Sequence, residues 1–379
     1  MRTLYFDSAA TTPVRHEVLE AMLPYFSQIY YNPNSSYGQA HEVRLKVEEA
    51  RKVIADSINA LPEEIYFTSG GSEANCAAIQ GFINSRLYPR IITTGIEHHS
   101  TLALIDAICP SATILSVSKQ GVINVPDVAQ AIRTQKPQDN VLVSIIGANN
   151  EIGTVQDLLG IGCVCRDNDA IFHVDGVQMY GHIPIDVRKM NIDIFSASAH
   201  KIGGPKGVGF LYVNRDINIT PIIFGTQEGG KRGGTTNVPG VIGFAEAVKL
   251  CNTENDEVEM ARDHMIERLE FECGCTLNGS RLMRLPNNIN VTFPHGSAQS
   301  MVVALGEMGI LCSAGSACNE GSPEPSHVLK AIGLSNDDAR RTVRFTLPED
   351  VTIDDVDLAV EIIKIAQDMI GDEKDEASR

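Results

Sequence analysis

The chain has 379 residues, 43% of them hydrophobic and 21% charged, with a formal net charge of −17. That length suits one large α/β core plus a smaller one, and the acidic balance argues against direct nucleic-acid binding, which needs a cationic face. No apolar run of about 18 residues is present to span a membrane.

The opening MRTLYFDSAATT lacks the apolar core of a secretory signal. A cytoplasmic, reducing setting is therefore expected, with the nine cysteines as thiols. Along the chain, 65–68 reads as a strand and 72–82 as a helix, with Gly70 and Gly71 between them. Residues 90–93, 113–117, 141–145 and 171–174 are further apolar runs, several of them separated by helical patterns. That alternation predicts a mostly parallel sheet covered by helices. Residues 192–196 and 209–213 follow too closely for a long helix between them, so part of the sheet is expected to be antiparallel.

From about Val238 the pattern changes. A helix with a charged face covers 254–270, and 288–293, 311–312 and 342–346 read as strands of a smaller α+β unit. Residues 351–370 form a closing amphipathic helix, and the polar tail 371–379 is expected to fray. The expected division is a large domain over 15–240 and a small one made of 1–14 and 241–379.

Several turns carry chemistry. In SASAHKIGGPKG a strand ends in small residues, then His200 and Lys201. Partial desolvation there favours the neutral amine, the form able to make a Schiff base, although an isolated lysine in such a turn is usually a solvated surface residue. Asp175 closes the apolar run before Gly176, where a carboxylate can hold a protonated pyridine nitrogen; Gln178 lies three residues on. Gly70, Gly71 and Ser72 sit between a strand and a helix, which suits a phosphate but equally an ordinary cap. His98 or His99 could stack on a planar ring, and Asn149 and Asn150 also follow a strand. Cys163/Cys165 and Cys273/Cys275 lack the spacing and the second pair of a zinc site, so no metal is expected.

The motifs FTSGGSEAN, EHHS, NNEIG, HVDGVQ, SASAHKIGGPKG, KRGGTTN, GSAC followed by EPSHVL, and VRFT occur in this order. Together they resemble the class V, fold-type I pyridoxal-phosphate enzymes, most closely the cysteine desulfurases of the NifS/IscS type. The likeness implies an α/β fold with a mostly parallel, seven-stranded sheet between helices, plus a small α+β C-terminal domain. It implies that Lys201 holds pyridoxal 5′-phosphate covalently, His98 stacks on the ring and moves protons, Asp175 pairs with the pyridine nitrogen, and Gln178 with the phenolic oxygen. Asn150 would lie beside the ring. Ser72, Ser198 and His200 would bind the phosphate beside the Gly71 backbone, completed by Thr235 from the other subunit of a homodimer. Arg344, helped by Asn32, would hold the carboxylate of L-cysteine, and Cys318 would accept its sulfur as a persulfide.

The implied acceptors are an iron–sulfur scaffold or a tRNA-thiolation protein. A selenocysteine lyase or another class V aminotransferase or lyase would use the same cofactor, but a plain aminotransferase needs no thiol nucleophile. A pyridoxal-fold protein kept only as a docking or cluster-holding module would not need Lys201, Asp175 and Arg344. The chain departs from the family pattern at Ser8, in the shortened segment 34–38, which lacks a histidine, and at Asn319 and Glu320 after the reactive cysteine. A carboxylate there raises a thiol pKa. Cys312 is expected to be a buried bystander.

Overall fold

The computed structural model describes residues 3–134, 140–315 and 325–377, with side chains as far as Ile370. The first strand is β1 (Leu4–Tyr5). The apolar runs that follow become seven strands of one sheet: β2 (Ile65–Thr68), β3 (Arg90–Thr94), β4 (Thr113–Leu115), β5 (Val141–Ile146), β6 (Ile171–Asp175), β7 (Ile194–Ser198) and β8 (Gly209–Val213). Their order is β2-β8-β7-β6-β5-β3-β4. β8 is antiparallel to both neighbours, and the other pairings are parallel. The expected antiparallel part of the sheet is therefore this one strand.

Strands β5 to β8 are buried along their whole length. This is why they read as continuous apolar runs, since helices cover both faces. Successive residues still alternate between faces. Val141, Val143 and Ile145 join one core with Phe172, Phe195 and Phe210, whereas Leu142, Ile171 and Ile194 join the core on the opposite face.

A second hydrophobic core gathers the chain ends. β9 (Thr276–Leu277), β10 (Asn288–Thr292) and β12 (Thr342–Thr346) form an antiparallel sheet in the order β12-β10-β9, and β1 pairs in parallel with β11 (Ile310–Leu311). The helix Asp256–Cys273 starts on Asn255, whose side chain accepts from the Val258 amide, and ends on Gly274 at φ 64°. The first is a standard start signal and the second a standard stop. Leu4 and Phe6 pack into this core with Ile289, Val343, Phe345 and Val356.

Three details differ from the sequence reading. β7 begins at Ile194 because Asp193 is engaged with the backbone of Phe172, its carboxylate accepting from that amide at 2.9 Å. β4 ends at Leu115, and Val117 instead bridges to Ile123. The closing helix runs Ile353–Ala377, because the Asp, Glu and Lys residues after Gly371 are tolerated in a helix and one glycine does not end it. Among the described residues no helix is long and apolar enough to cross a membrane.

Candidate active site

The turns after β2, β3, β5, β6 and β7 open on the same edge of the sheet, the edge where open α/β sheets bind ligands. There they line a cavity of about 260 Å³. The N-terminal segment, at Ala9 and Ala10, and Arg344 from β12 close it.

Lys201 lies in the short turn Ala199–Lys201 directly after β7. Its Nζ donates to the carbonyl oxygens of Ala9 at 2.5 Å and Ala10 at 2.9 Å. Gln178 Nε2 donates to the same Ala9 oxygen at 3.0 Å. Asp175 is the last residue of β6 and is buried. Its Oδ2 accepts from Asn75 Nδ2 at 2.6 Å and its Oδ1 from the Val177 amide at 3.1 Å. A carboxylate so deep in the protein requires such partners.

His98 caps the helix His99–Ile108. Its Nδ1 accepts from the Ser100 amide at 3.1 Å, so the neutral ring carries its proton on Nε2. Burial first, then nearby Lys201, His99 and His327, hold its pKa below the usual histidine range, against an opposing pull from Asp175. The preceding residue, Glu97, is fully buried and takes a 2.5 Å hydrogen bond from Thr94 Oγ1. Burial, with Asp175 adding, pushes its carboxyl well above the ordinary range.

At the other end of the cavity Gly71 and Ser72 open the helix Gly71–Asn84. A Cβ on Gly71 would lie 2.4 Å from Val177 Cγ2, so glycine is needed for the turn to pack on the β6 loop. The helix dipole and its free amides face an anion-sized recess lined also by Ser198 and His200. His200 Nδ1 lies 3.1 Å from Thr11 Oγ1, and burial, then Lys201 and Lys206, lower its pKa to about 4.

Arg344 is 1% exposed. Its Nη2 pairs with Asp7 Oδ1 at 2.7 Å and its Nη1 donates to the Asn150 carbonyl at 2.9 Å. Its Nε is buried with no partner among the described residues.

The cavity thus brings together Gly71, Ser72, His98, Asn150, Asp175, Gln178, Ser198, His200, Lys201 and Arg344 of the expected set. Asn32 and Thr235 do not line it within one protomer. Asn32 is exposed and its Oδ1 accepts from the Asn34 amide, while Thr235 lines a separate hollow beside Ser69 and Gly207. Cys318 and Glu320 lie outside the described residues. Cys312 is there, and burial first, with Asp7 adding, raises its thiol to about 12.

Sequence reasoning missed Asn75, Ser100 and Asp7. Asn75 left one usable signal, three residues after Ser72 on the same helix. Asp7 left none, because its partner is 337 positions away.

The donor set fits pyridoxal 5′-phosphate. A buried carboxylate, a lysine amine and an imidazole lie at one end, and Ser72 at a helix N-terminus and Ser198 at the end of β7 lie at the other.

The Aminotransferase class-V family matches residues 4–358. A cysteine desulfurase IscS of Methanosarcina thermophila is 42% identical over 372 residues, covering 96% of this chain and 91% of that protein. Among solved structures, a NifS-like protein superposes with a TM-score of 0.89 at 31% identity, covering 97% of this chain and all of that one (100%). SspA, solved in complex with cysteine, gives 0.81 at 39% identity, covering 92% of this chain and 99% of its own. The chain belongs to the class V aminotransferase family and, within it, to the cysteine desulfurases of the NifS/IscS type.

Proposed function

We propose that this protein is a pyridoxal-phosphate-dependent cysteine desulfurase that converts L-cysteine to L-alanine and passes the sulfur through Cys318 to an acceptor protein. The observation that carries the reading is the convergence of Lys201, Asp175, His98 and Arg344 on one cavity. When bound, the cofactor supplies an electron sink for the charge left on the substrate α-carbon.

The chain's own groups do the rest. Asp175, held by Asn75 and the Val177 amide, keeps a proton on the pyridine nitrogen. Gln178 and Asn150 orient the ring. Ser72, Ser198, His200 and the Gly71 backbone hold the phosphate. Lys201 Nζ is the covalent anchor, and with His98 it handles protons at the α-carbon. Arg344 binds the substrate carboxylate, a task for a forked guanidinium. Cys318 Sγ, as thiolate, bonds to the substrate sulfur; the carbon–sulfur bond breaks, its electron pair stays on carbon, and a proton taken up there completes alanine.

The working unit is a homodimer in which Thr235 reaches the partner's phosphate site and Asn32 helps Arg344 hold the substrate carboxylate. The exposed side chains of Leu23, Phe26, Tyr30 and Phe224 support such an interface. The chain divides into a large and a small domain, a division supported by the two separate cores, but the expected boundary at 240 moves to the end of the helix Val238–Lys249, because Val241, Phe244 and Ala247 of that helix pack into the large core. The acceptor is an iron–sulfur scaffold or a tRNA-thiolation protein, in the cytoplasm.

The test is an absorption spectrum of the purified protein before and after L-cysteine, with alanine assayed and sulfide released from the persulfide by an added dithiol reductant. Equal amounts of both, without any keto acid, are expected. A requirement for a keto acid would replace this reading with transamination.

A further inference from the structure

The loop between β8 and the helix Val238–Lys249 carries Thr235, and it is held unusually firmly. Glu228 sits at φ 49°, a left-handed conformation that non-glycine residues rarely adopt, and Gly229 and Gly230 follow at 60° and 80°. A glycine would be at ease at position 228, so the glutamate is kept there for its side chain.

That carboxylate accepts from Arg51 Nη1 at 2.7 Å, Arg51 Nη2 at 3.1 Å and the Phe67 amide at 3.0 Å. The Arg51 and Glu228 side chains are only 10% and 7% exposed, and Arg51 also donates to the Ile65 carbonyl at 2.6 Å. The loop is thereby clamped to β2. A second ion pair follows four residues later. Arg232 Nε meets Glu73 Oε1 at 2.8 Å, and Glu73 Oε2 accepts from the Ser69 amide at 2.9 Å. The two limbs of the loop also close on each other, since a Cβ on Gly225 would stand 2.4 Å from Gly233 Cα. Ser69 and Gly207 line both the Thr235 hollow and the recess at the phosphate end of the cavity.

We propose that Glu228 is a positioning residue for the cofactor phosphate of the opposite protomer. Through Arg51 and Phe67 it fixes the loop at the orientation in which Thr235 reaches across. The Arg232–Glu73 pair ties the same loop to this protomer's own phosphate turn at 69–72. This rests on the reading of a homodimer with Thr235 acting in trans. Each ion-paired block then serves both phosphates of the dimer at once.

The test uses the full-length protein, stripped of cofactor and titrated with pyridoxal 5′-phosphate and with pyridoxal. The ratio of the two affinities isolates the phosphate. Glu228→Gln is expected to lower that ratio about tenfold, the worth of one hydrogen bond to a charged group, and to leave pyridoxal affinity unchanged. Thr235→Ala should do the same, and the double variant should fall no further than either alone. Arg51→Lys, which keeps the charge but loses the fork, provides a second measurement and should also lower the ratio. A normal ratio in Glu228→Gln and Arg51→Lys, with a lowered one in Thr235→Ala, overturns the proposal and leaves the dimer reading intact. Equal losses of both affinities also overturn it, because the loop then acts only as structure. A normal ratio in Thr235→Ala removes the reading in trans and the proposal with it.

Discussion

Asn75 Nδ2 stands 2.6 Å from Asp175 Oδ2, deep beneath the cavity, and both residues are almost wholly buried. The amide holds the carboxylate in place, in the position proposed for pairing with the pyridine nitrogen. Replacing Asn75 with alanine leaves a buried carboxylate oxygen short of a partner, a loss of about 1–3 kcal/mol. Urea unfolding should report that loss, and cofactor titration should report weaker binding. Wild-type values in both would remove Asn75 from the site.

Arg344 is committed to Asp7 and the Asn150 carbonyl, which fixes the plane of its guanidinium. Lysine keeps the charge but cannot make the fork. Arg344→Lys is expected to raise KM for L-cysteine about ten- to a hundredfold while the visible absorbance of bound cofactor stays unchanged. Loss of that absorbance would mean that Arg344 supports the cofactor site and does not select the substrate.

Three histidines make the fold sensitive to acid. Burial lowers His173 from 6.5 to about 3 and His182 to about 4, and burial with Lys201 and Lys206 lowers His200 to about 4. The unfolded chain therefore takes up protons first as pH falls. Stability present above pH 6.5 is lost progressively between 6.5 and about 4 for His182 and His200, and down to about 3 for His173, by about 1.4 kcal/mol per pH unit for each proton. His173 lies between Ser144 Oγ at 2.9 Å and Ser196 Oγ at 3.0 Å. His173→Asn should make the slope shallower by one proton in denaturant titrations at stepped pH. An unchanged slope would mean His173 is not linked to folding.

The thiols should divide sharply. With its thiol raised to about 12, Cys312 is inert near neutral pH, so Cys312→Ala should leave turnover unchanged. Cys318→Ala should keep bound cofactor but release no sulfide. Removing the neighbouring carboxylate in Glu320→Gln should lower the thiol pKa at Cys318 and speed its alkylation at pH 7. Sulfide release by Cys318→Ala at the wild-type rate would discard the nucleophile assignment.

Much of this was legible in the sequence because it is local. Runs such as VLVSII at 141–146 declare a strand buried on both faces, and the turns after β2, β3, β5, β6 and β7 each bring a residue to the cavity, as Lys201 follows β7. What depended on distant partners was not legible. No local pattern links Arg51 to Glu228 across 177 positions, or Ala9 to Lys201 across 192. The start of β7 was misplaced by two residues because Asp193 binds the backbone of a neighbouring strand, a tertiary preference that β-propensity does not contain.

The amine of Lys201 rests on the carbonyls of Ala9 and Ala10, and Asp7 of that same segment pairs with Arg344 on β12. During synthesis on a ribosome, the large sheet can assemble once β8 has emerged. The pocket wall cannot close until β12 has emerged, more than a hundred residues later. A chain arrested before that point has its lysine in place and the cavity open where Arg344 would close it, so the proposed substrate clamp forms only once nearly the whole chain is made.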